Sequence, residues 1–268
     1  IFVLYINDIG DEVENSELLL YADDLKIFRE IRCMEDCAQL QTDLNSLVEW
    51  SSKNALPFNI EKCEKITYTR NTKRIIVQDY SLKGHILRKV EEVKDLEVIM
   101  DRGVTWRTHT RQMINKAKRS LGFLIRRSCN FKNIKKIPTL YYALVRSHLK
   151  FATIIWNPLL KSSRQGNRGN SETILKVSLF QYYPVDIGYR QSLSGFEMAP
   201  LSQRRTTSCL MFLYDVLKGE VQIPDLLSKI NINVPRPNSW HKRVFCPPKA
   251  RTNILSKSVI NWGTETFN

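Results

Sequence analysis

An α+β fold is expected of these 268 residues on three grounds. Short apolar runs broken by turn residues crowd the first 104 positions, the pattern of an antiparallel sheet with a helix packed against it. From Thr105 onward the apolar period becomes helical. The charge changes sign along the chain: residues 1–60 hold 4 basic and 12 acidic residues, the remainder 37 and 15. These grounds divide the chain into a sheet-bearing part at 1–104, a helical part at 105–160, a polar linker at 161–170 and a mostly helical, basic part at 171–268.

Composition narrows the function classes. Hydrophobic content of 43% supports globular cores, and the net charge of +14 favours a polyanionic partner. Within 101–170 there are 16 basic residues against one acid, Asp101, so salt-sensitive binding of nucleic acid is expected there. Cysteines 33, 37, 63, 129, 209 and 246 form no Cys-x-x-Cys pair, and histidines 85, 109, 148 and 241 add no zinc spacing. Reduced, partly buried thiols are expected. The most membrane-like stretch, Leu140 to Leu160, carries Arg146, His148 and Lys150, which a bilayer centre penalises. No signal peptide is legible, so an intracellular protein of nucleus or cytoplasm is expected, neither secreted nor membrane-bound. The chain begins inside an apolar run without an initiator Met, which reads as a fragment.

Taken in order, Ile1 to Ile9 is apolar and closes on Asn7-Asp8, and Gly10 to Glu17 is an acidic loop. Leu18-Leu19-Leu20-Tyr21-Ala22-Asp23-Asp24-Leu25-Lys26-Ile27-Phe28 then reads as two short buried strands turning at the acids. Burying unpaired carboxylates costs several kcal/mol, and hard divalent cations are the usual compensation. A plain exposed Asp-Asp turn is the alternative; the apolar flanks favour the cation.

Glu35 to Trp50 reads as an amphipathic helix through Leu40, Leu44, Leu47 and Val48, and Leu56, Phe58 and Ile60 alternate as a strand. Ile75 to Ile86-Leu87 reads as a hairpin turning at Lys83-Gly84-His85. Val93 to Met100 reads as one strand, turning at Asp101-Arg102-Gly103. Met113, Ala117, Leu121 and Leu124 stripe the next helix, with Arg111, Lys116, Lys118, Arg119, Arg126 and Arg127 around them. Pro138 opens a second helix through Leu140, Leu144, Val145 and Leu149. Beyond the linker, a helix through Leu210, Leu213, Val216 and Leu217 stops at Lys218-Gly219. Pro235, Pro237, Pro247 and Pro248 mark an extended basic tail.

Phe2-Val3-Leu4-Tyr5-Ile6-Asn7-Asp8-Ile9 followed by Tyr21-Ala22-Asp23-Asp24 resembles the palm of reverse transcriptases of the LINE type (non-LTR retrotransposons), nearest the jockey-like group. That resemblance implies the C-terminal part of a polymerase palm at 1–104 and a helical thumb at 105–160. It implies RNA-directed DNA polymerisation, with Asp23 and Asp24 as metal-binding catalytic residues for two Mg2+ ions, or Mn2+. Asp23 would be the principal ligand, since neighbouring strand residues face opposite sides. The Leu-x-x-Asn-x-x-Lys-Cys pattern ending at Lys62-Cys63 resembles the next palm motif, whose lysine assists pyrophosphate departure. Val93 to Asp101, with Trp106 and His109, resembles the primer-gripping hairpin, where Glu97 stands in place of the usual Gly. The six basic residues on the thumb-like helix would follow the nucleic-acid backbone.

The implied partners are an RNA template, a DNA primer, deoxynucleoside triphosphates and the missing N-terminal half of the polymerase. That half would hold the other essential aspartate, so the fragment is expected to be inactive alone. A non-catalytic nucleic-acid-binding remnant is the alternative.

Overall fold

A computed structural model describes residues 2–69, 76–128, 137–160, 201–233, 243–250, 256 and 258–268. The linker expected at 161–170, the stretch 171–200, Ile75, Cys129, Pro235 and Pro237 lie outside the described residues. Two compact units, Ile1–Thr105 and Trp106–Asn268, divide the chain.

In the first unit, a short helix α1 (Phe2–Tyr5) and a 3₁₀ segment (Asn7–Glu12) lead into β1 (Glu17–Tyr21) and β2 (Asp24–Phe28). The helix α2 (Met34–Lys53) is the unit's central element. Its Leu47 and Trp50 meet Ile6 and Ile9, with Leu18, Leu25, Ile27 and Phe58 packed around them. Its Cys37 and Leu44 meet Tyr80 and Leu82 in a second cluster. The start of α2 is fastened by Asp36, which accepts the backbone N–H of Arg32 at 2.8 Å and of Cys33 at 3.0 Å. Those two backbone donors, then the Cys33 thiol and Arg29, hold the Asp36 carboxyl well below the usual carboxylate range.

The remaining strands are short: β3 (Glu64–Lys65), β4 (Ser81–Leu82), β5 (His85–Ile86), β6 (Arg88–Lys89), β7 (Glu92–Asp95) and β8 (Val98–Asp101). Among the described residues the strands pair as four separate two-stranded ladders, β1 with β2, β3 with β6, β4 with β5 and β7 with β8. Leu56, Phe58 and Ile60, expected as a strand, instead run extended into a 3₁₀ turn at Ile60–Lys62, their apolar side chains joining the α2 clusters. Val93 to Met100, read from its apolar run as one strand and from its resemblance as a hairpin, is a hairpin. Leu96 (φ 44°) and Glu97 (φ 67°) occupy its tip, both in the left-handed region that a tight two-residue turn demands. Lys83 (φ 52°) and Gly84 (φ 78°) turn β4 into β5 in the same manner.

The second unit is helical: α3 (Arg107–Ser128), α4 (Ile137–Tyr141), a π-helical turn (Tyr142–Arg146), α5 (Ser147–Lys150), α6 (Thr153–Leu160), α7 (Leu201–Lys218), α8 (Pro224–Leu227) and α9 (Val259–Phe267). Met113, Ala117, Leu121 and Leu124 of α3 are buried, as their spacing requires. Leu144 is 38% exposed, although the stripe through Leu140, Val145 and Leu149 would bury it. The π turn adds a residue to that helical cycle and rotates the inward face onto Val145 and Leu149. Leu213 and Val216 of α7 pack with Ile230, Phe245 and Ile260. Gly219 (φ 77°) ends α7; its N–H reaches the Val216 carbonyl and that of Glu220 reaches the Asp215 carbonyl, a Schellman cap. The tail expected to be extended carries α9, which is closed over by the Asn268 side chain bonding Val244 and Phe245.

Candidate functional site

The antiparallel register pairs Tyr21 with Asp24, Leu20 with Leu25, Leu19 with Lys26 and Leu18 with Ile27. Ala22 and Asp23 therefore form the whole turn, and Ala22 adopts φ 53°. An L-residue held there costs roughly 1–2 kcal/mol, which the ladder on either side must enforce. Since side chains alternate, Leu18, Leu25 and Ile27 face α2. Tyr21, Asp24, Leu19, Lys26 and Phe28 share the opposite face.

That face is not covered. Leu19 is 55% exposed and Tyr21 62%, so the flanks expected as two buried strands are buried on one side only. A two-stranded ladder has one core to pack on, and here α2 supplies it. Asp23 and Asp24 are both exposed at the tip. Lys26, on the face of Asp24, has its ammonium 2.5 Å from the Asp95 carboxylate of β7. That ion pair links the Asp-Asp hairpin to the β7–β8 hairpin.

Two adjacent carboxylates suit a hard divalent cation in kind. They do not suit a two-ion centre in number: among the described residues no three His, Cys, Asp or Glu side chains converge to hold a metal ion. No chemical step through a metal is therefore assigned to this chain by itself.

Lys62 is exposed at the end of its 3₁₀ turn, and no hydrogen bond or ion pair joins it to Asp23 or Asp24. The engaged lysine of that segment is Lys65, whose ammonium donates to the Gln78 carbonyl and lies 4.9 Å from the Tyr80 ring. Asp8 is exposed within the 3₁₀ segment, in keeping with a turn role.

On α3, Arg111, Lys118, Arg119, Arg126 and Arg127 are exposed and Lys116 is half-buried. At 100° per residue these positions fall away from the Met113–Leu124 stripe, and at 1.5 Å per residue they extend over about 24 Å. Phe123 lies among them, half exposed, with the Arg127 guanidinium 6.0 Å from its ring. An exposed aromatic between cations offers a surface for a nucleotide base beside its phosphates.

Other residues of consequence had weaker signals. Asp43, 2% exposed, accepts hydrogen bonds from the Asn15 backbone at 3.2 Å and side chain at 3.1 Å, fastening the acidic loop before β1. Its signal was its place on the apolar stripe of α2, between Leu40 and Leu47. His109 is buried between Trp106 and Trp156, with ring centroids at 6.4 and 6.0 Å. Burial, then the charge of Lys116, lowers its pKa from the ordinary histidine value. The cysteines among the described residues are free thiols, with Cys37 and Cys209 buried. Among the described residues no helix is long and apolar enough to cross a membrane.

No family model matches the chain, and no solved structure does. Over 90 residues, a third of its length, the chain is 31% identical to a protein of Drosophila funebris described as RNA-directed DNA polymerase from mobile element jockey. The stretch covers 10% of that protein, so the chain spans only a small part of the curated relative it matches.

Proposed function

We propose that the chain is part of a non-LTR retrotransposon reverse transcriptase of the jockey-like group, a palm segment carrying the Asp23-Asp24 hairpin followed by a thumb-like basic helix. The reading rests foremost on Tyr21-Ala22-Asp23-Asp24 standing at the tip of a tight hairpin whose Leu18, Leu25 and Ile27 pack on α2 while both acids stay exposed. Similarity to the jockey polymerase supports it independently. In the intact parent, Asp23 and Asp24 would share Mg2+ or Mn2+ with an aspartate from outside this chain. Those ions would activate the primer hydroxyl and steady the leaving pyrophosphate. The chain's own contribution is to aim two carboxylates from a rigid turn and to hold the template–primer backbone on α3. Lys62 keeps the role of assisting the leaving group, from an exposed position that nucleotide binding would have to approach.

The uncovered apolar face of β1 and β2, with Phe2, Val3, Leu4 and Tyr5 also exposed, suits packing against further polymerase structure. A second reading, a nucleic-acid-binding remnant without catalysis, draws on the two-carboxylate set, to which no third ligand is added among the described residues. Co-expression with an upstream palm and fingers separates the two. Mg2+-dependent primer extension that Asp23→Asn abolishes supports the polymerase; retained nucleic-acid binding without extension supports the remnant.

A further inference from the structure

We propose that an open basin in the helical unit, between the π turn and the start of α7, binds a phosphate of a nucleic-acid backbone. The identity of that ligand rests on the reading above. The basin has a volume of about 560 Å³ and is lined by Tyr142, Arg146, Ser147, Lys150 and Arg204. Among the described residues that line it, three are cations and none is an acid, a set that favours an anion.

Its walls are built to hold the charges close. The π turn from Tyr142 to Arg146 packs Arg146 to 4% exposure while leaving it on the basin wall. The Arg146 guanidinium lies 5.0 Å from the Tyr142 ring and that of Arg204 lies 5.5 Å from the same ring. One ring thus holds both guanidiniums beside the basin, where a phosphate would meet Arg204 and Lys150. Arg204 stands in the opening turn of the 18-residue α7, where the helix dipole itself favours an anion. Lys150 and the Ser147 hydroxyl complete the rim.

The neighbouring Arg205 explains why the two walls keep their spacing. Its guanidinium donates to the Leu149 carbonyl at 2.8 Å and lies 4.6 Å from the Trp156 ring, locking α7 to α5 and α6. Arg205 is thus structural, whereas Arg204 and Lys150 are directed to the basin. A receptor arranged before its ligand arrives loses little ordering entropy on binding.

The test uses the whole chain with a labelled single strand of about 16 nucleotides, read by fluorescence anisotropy across salt concentrations. Inorganic tripolyphosphate is titrated separately by calorimetry. The variants are Lys150→Gln with Arg204→Gln for the basin, and Arg126→Gln with Arg127→Gln for α3, each checked by circular dichroism melting. The basin variant is expected to weaken strand binding at least fivefold, and to flatten the salt slope by about 1.4, or 0.7 for each lost contact. Strand affinity and slope at parental values in the basin variant, with the α3 variant weakened, overturn the basin and leave the polymerase reading standing. Absence of strand binding by the parent at low salt overturns both. Tripolyphosphate binding that the strand cannot displace, yet the basin variant loses, overturns the backbone assignment in favour of a free polyphosphate.

Discussion

Glu97 shows how much of a site's behaviour sits in one dihedral angle. At φ 67° it occupies the second tip position of β7–β8, where glycine alone adopts the conformation without penalty. Its carboxylate pairs with Lys94, but both side chains are more than half exposed, so that pair contributes little. Glu97→Gly is therefore expected to raise stability by about 0.5–1 kcal/mol, seen as a higher urea midpoint with an unchanged slope; a lower midpoint would mean the pair outweighs the backbone. His109 gives the helical unit a dependence on pH. Its pKa is lowered in the folded state, so between that value and its ordinary 6.5 the unfolded chain binds the extra proton. Stability should be complete above about pH 7.5 and decline as pH falls through 6.5 and below. His109→Phe should flatten the melting temperature between pH 7.5 and 5, and an equally steep decline in that variant assigns the effect elsewhere. The Asp23-Asp24 pair was legible in the chain because two acids interrupt an apolar run. The strain at Ala22 was not, since alanine does not advertise a positive φ; that at Glu97 was signalled by its standing where the hairpin it resembles has Gly.

Helices and the hairpins turning at Asp23 and at Lys83-Gly84 were legible, while the shortest ladders were not, for a reason of scale. The helices α2 and α3 run over five or more turns, long enough for an apolar stripe to show, and the Lys218-Gly219 stop appears as a Schellman cap. Ladders such as β3–β6 pair only two residues a strand, too few for a period of two to register. The π turn escaped for a related reason: a single added residue shifts the face without leaving a mark in composition. On α3 the buried stripe accounts for the apolar positions and leaves Arg119, Arg126 and Arg127 to solvent. Replacing all three with Gln should lower nucleic-acid affinity without regard to sequence, and reduce the magnitude of the log K against log salt slope by about 2. Loss of affinity at one sequence only, or an unchanged slope, would remove α3 from the binding surface. Replacing the buried Leu121 by Ala would instead cost about 2–5 kcal/mol of stability, and so test packing rather than binding.

At the scale of the molecule, the division of charge and the count of carboxylates decide what the chain can do. An acidic stretch carries the hairpin and a basic one carries the helices, an arrangement suited to gathering cations at one place and polyphosphate at another. Yet two-metal transfer needs ions about 3.5–4 Å apart, bridged by carboxylates approaching from more than one strand. Asp23 and Asp24 leave a single turn, and among the described residues no third ligand joins them. The chain alone is therefore expected to give no templated synthesis with Mg2+, a primer–template and nucleotides. Its uncovered face at Leu19, Tyr21 and Phe28 should make it self-associate, visible as a concentration-dependent sedimentation coefficient. On the polymerase reading proposed above, supplying an upstream palm and fingers should cover that face and restore extension together. In that reconstituted enzyme Asp23→Asn should cost about a thousandfold or more, because it removes a cation's charge and its placement at once. Lys62→Ala should cost far less, since a lysine at a leaving group contributes at most a proton and a charge from an exposed stem. Extension by the isolated chain that Asp23→Ala abolishes would mean that the hairpin finds its missing ligand within these 268 residues.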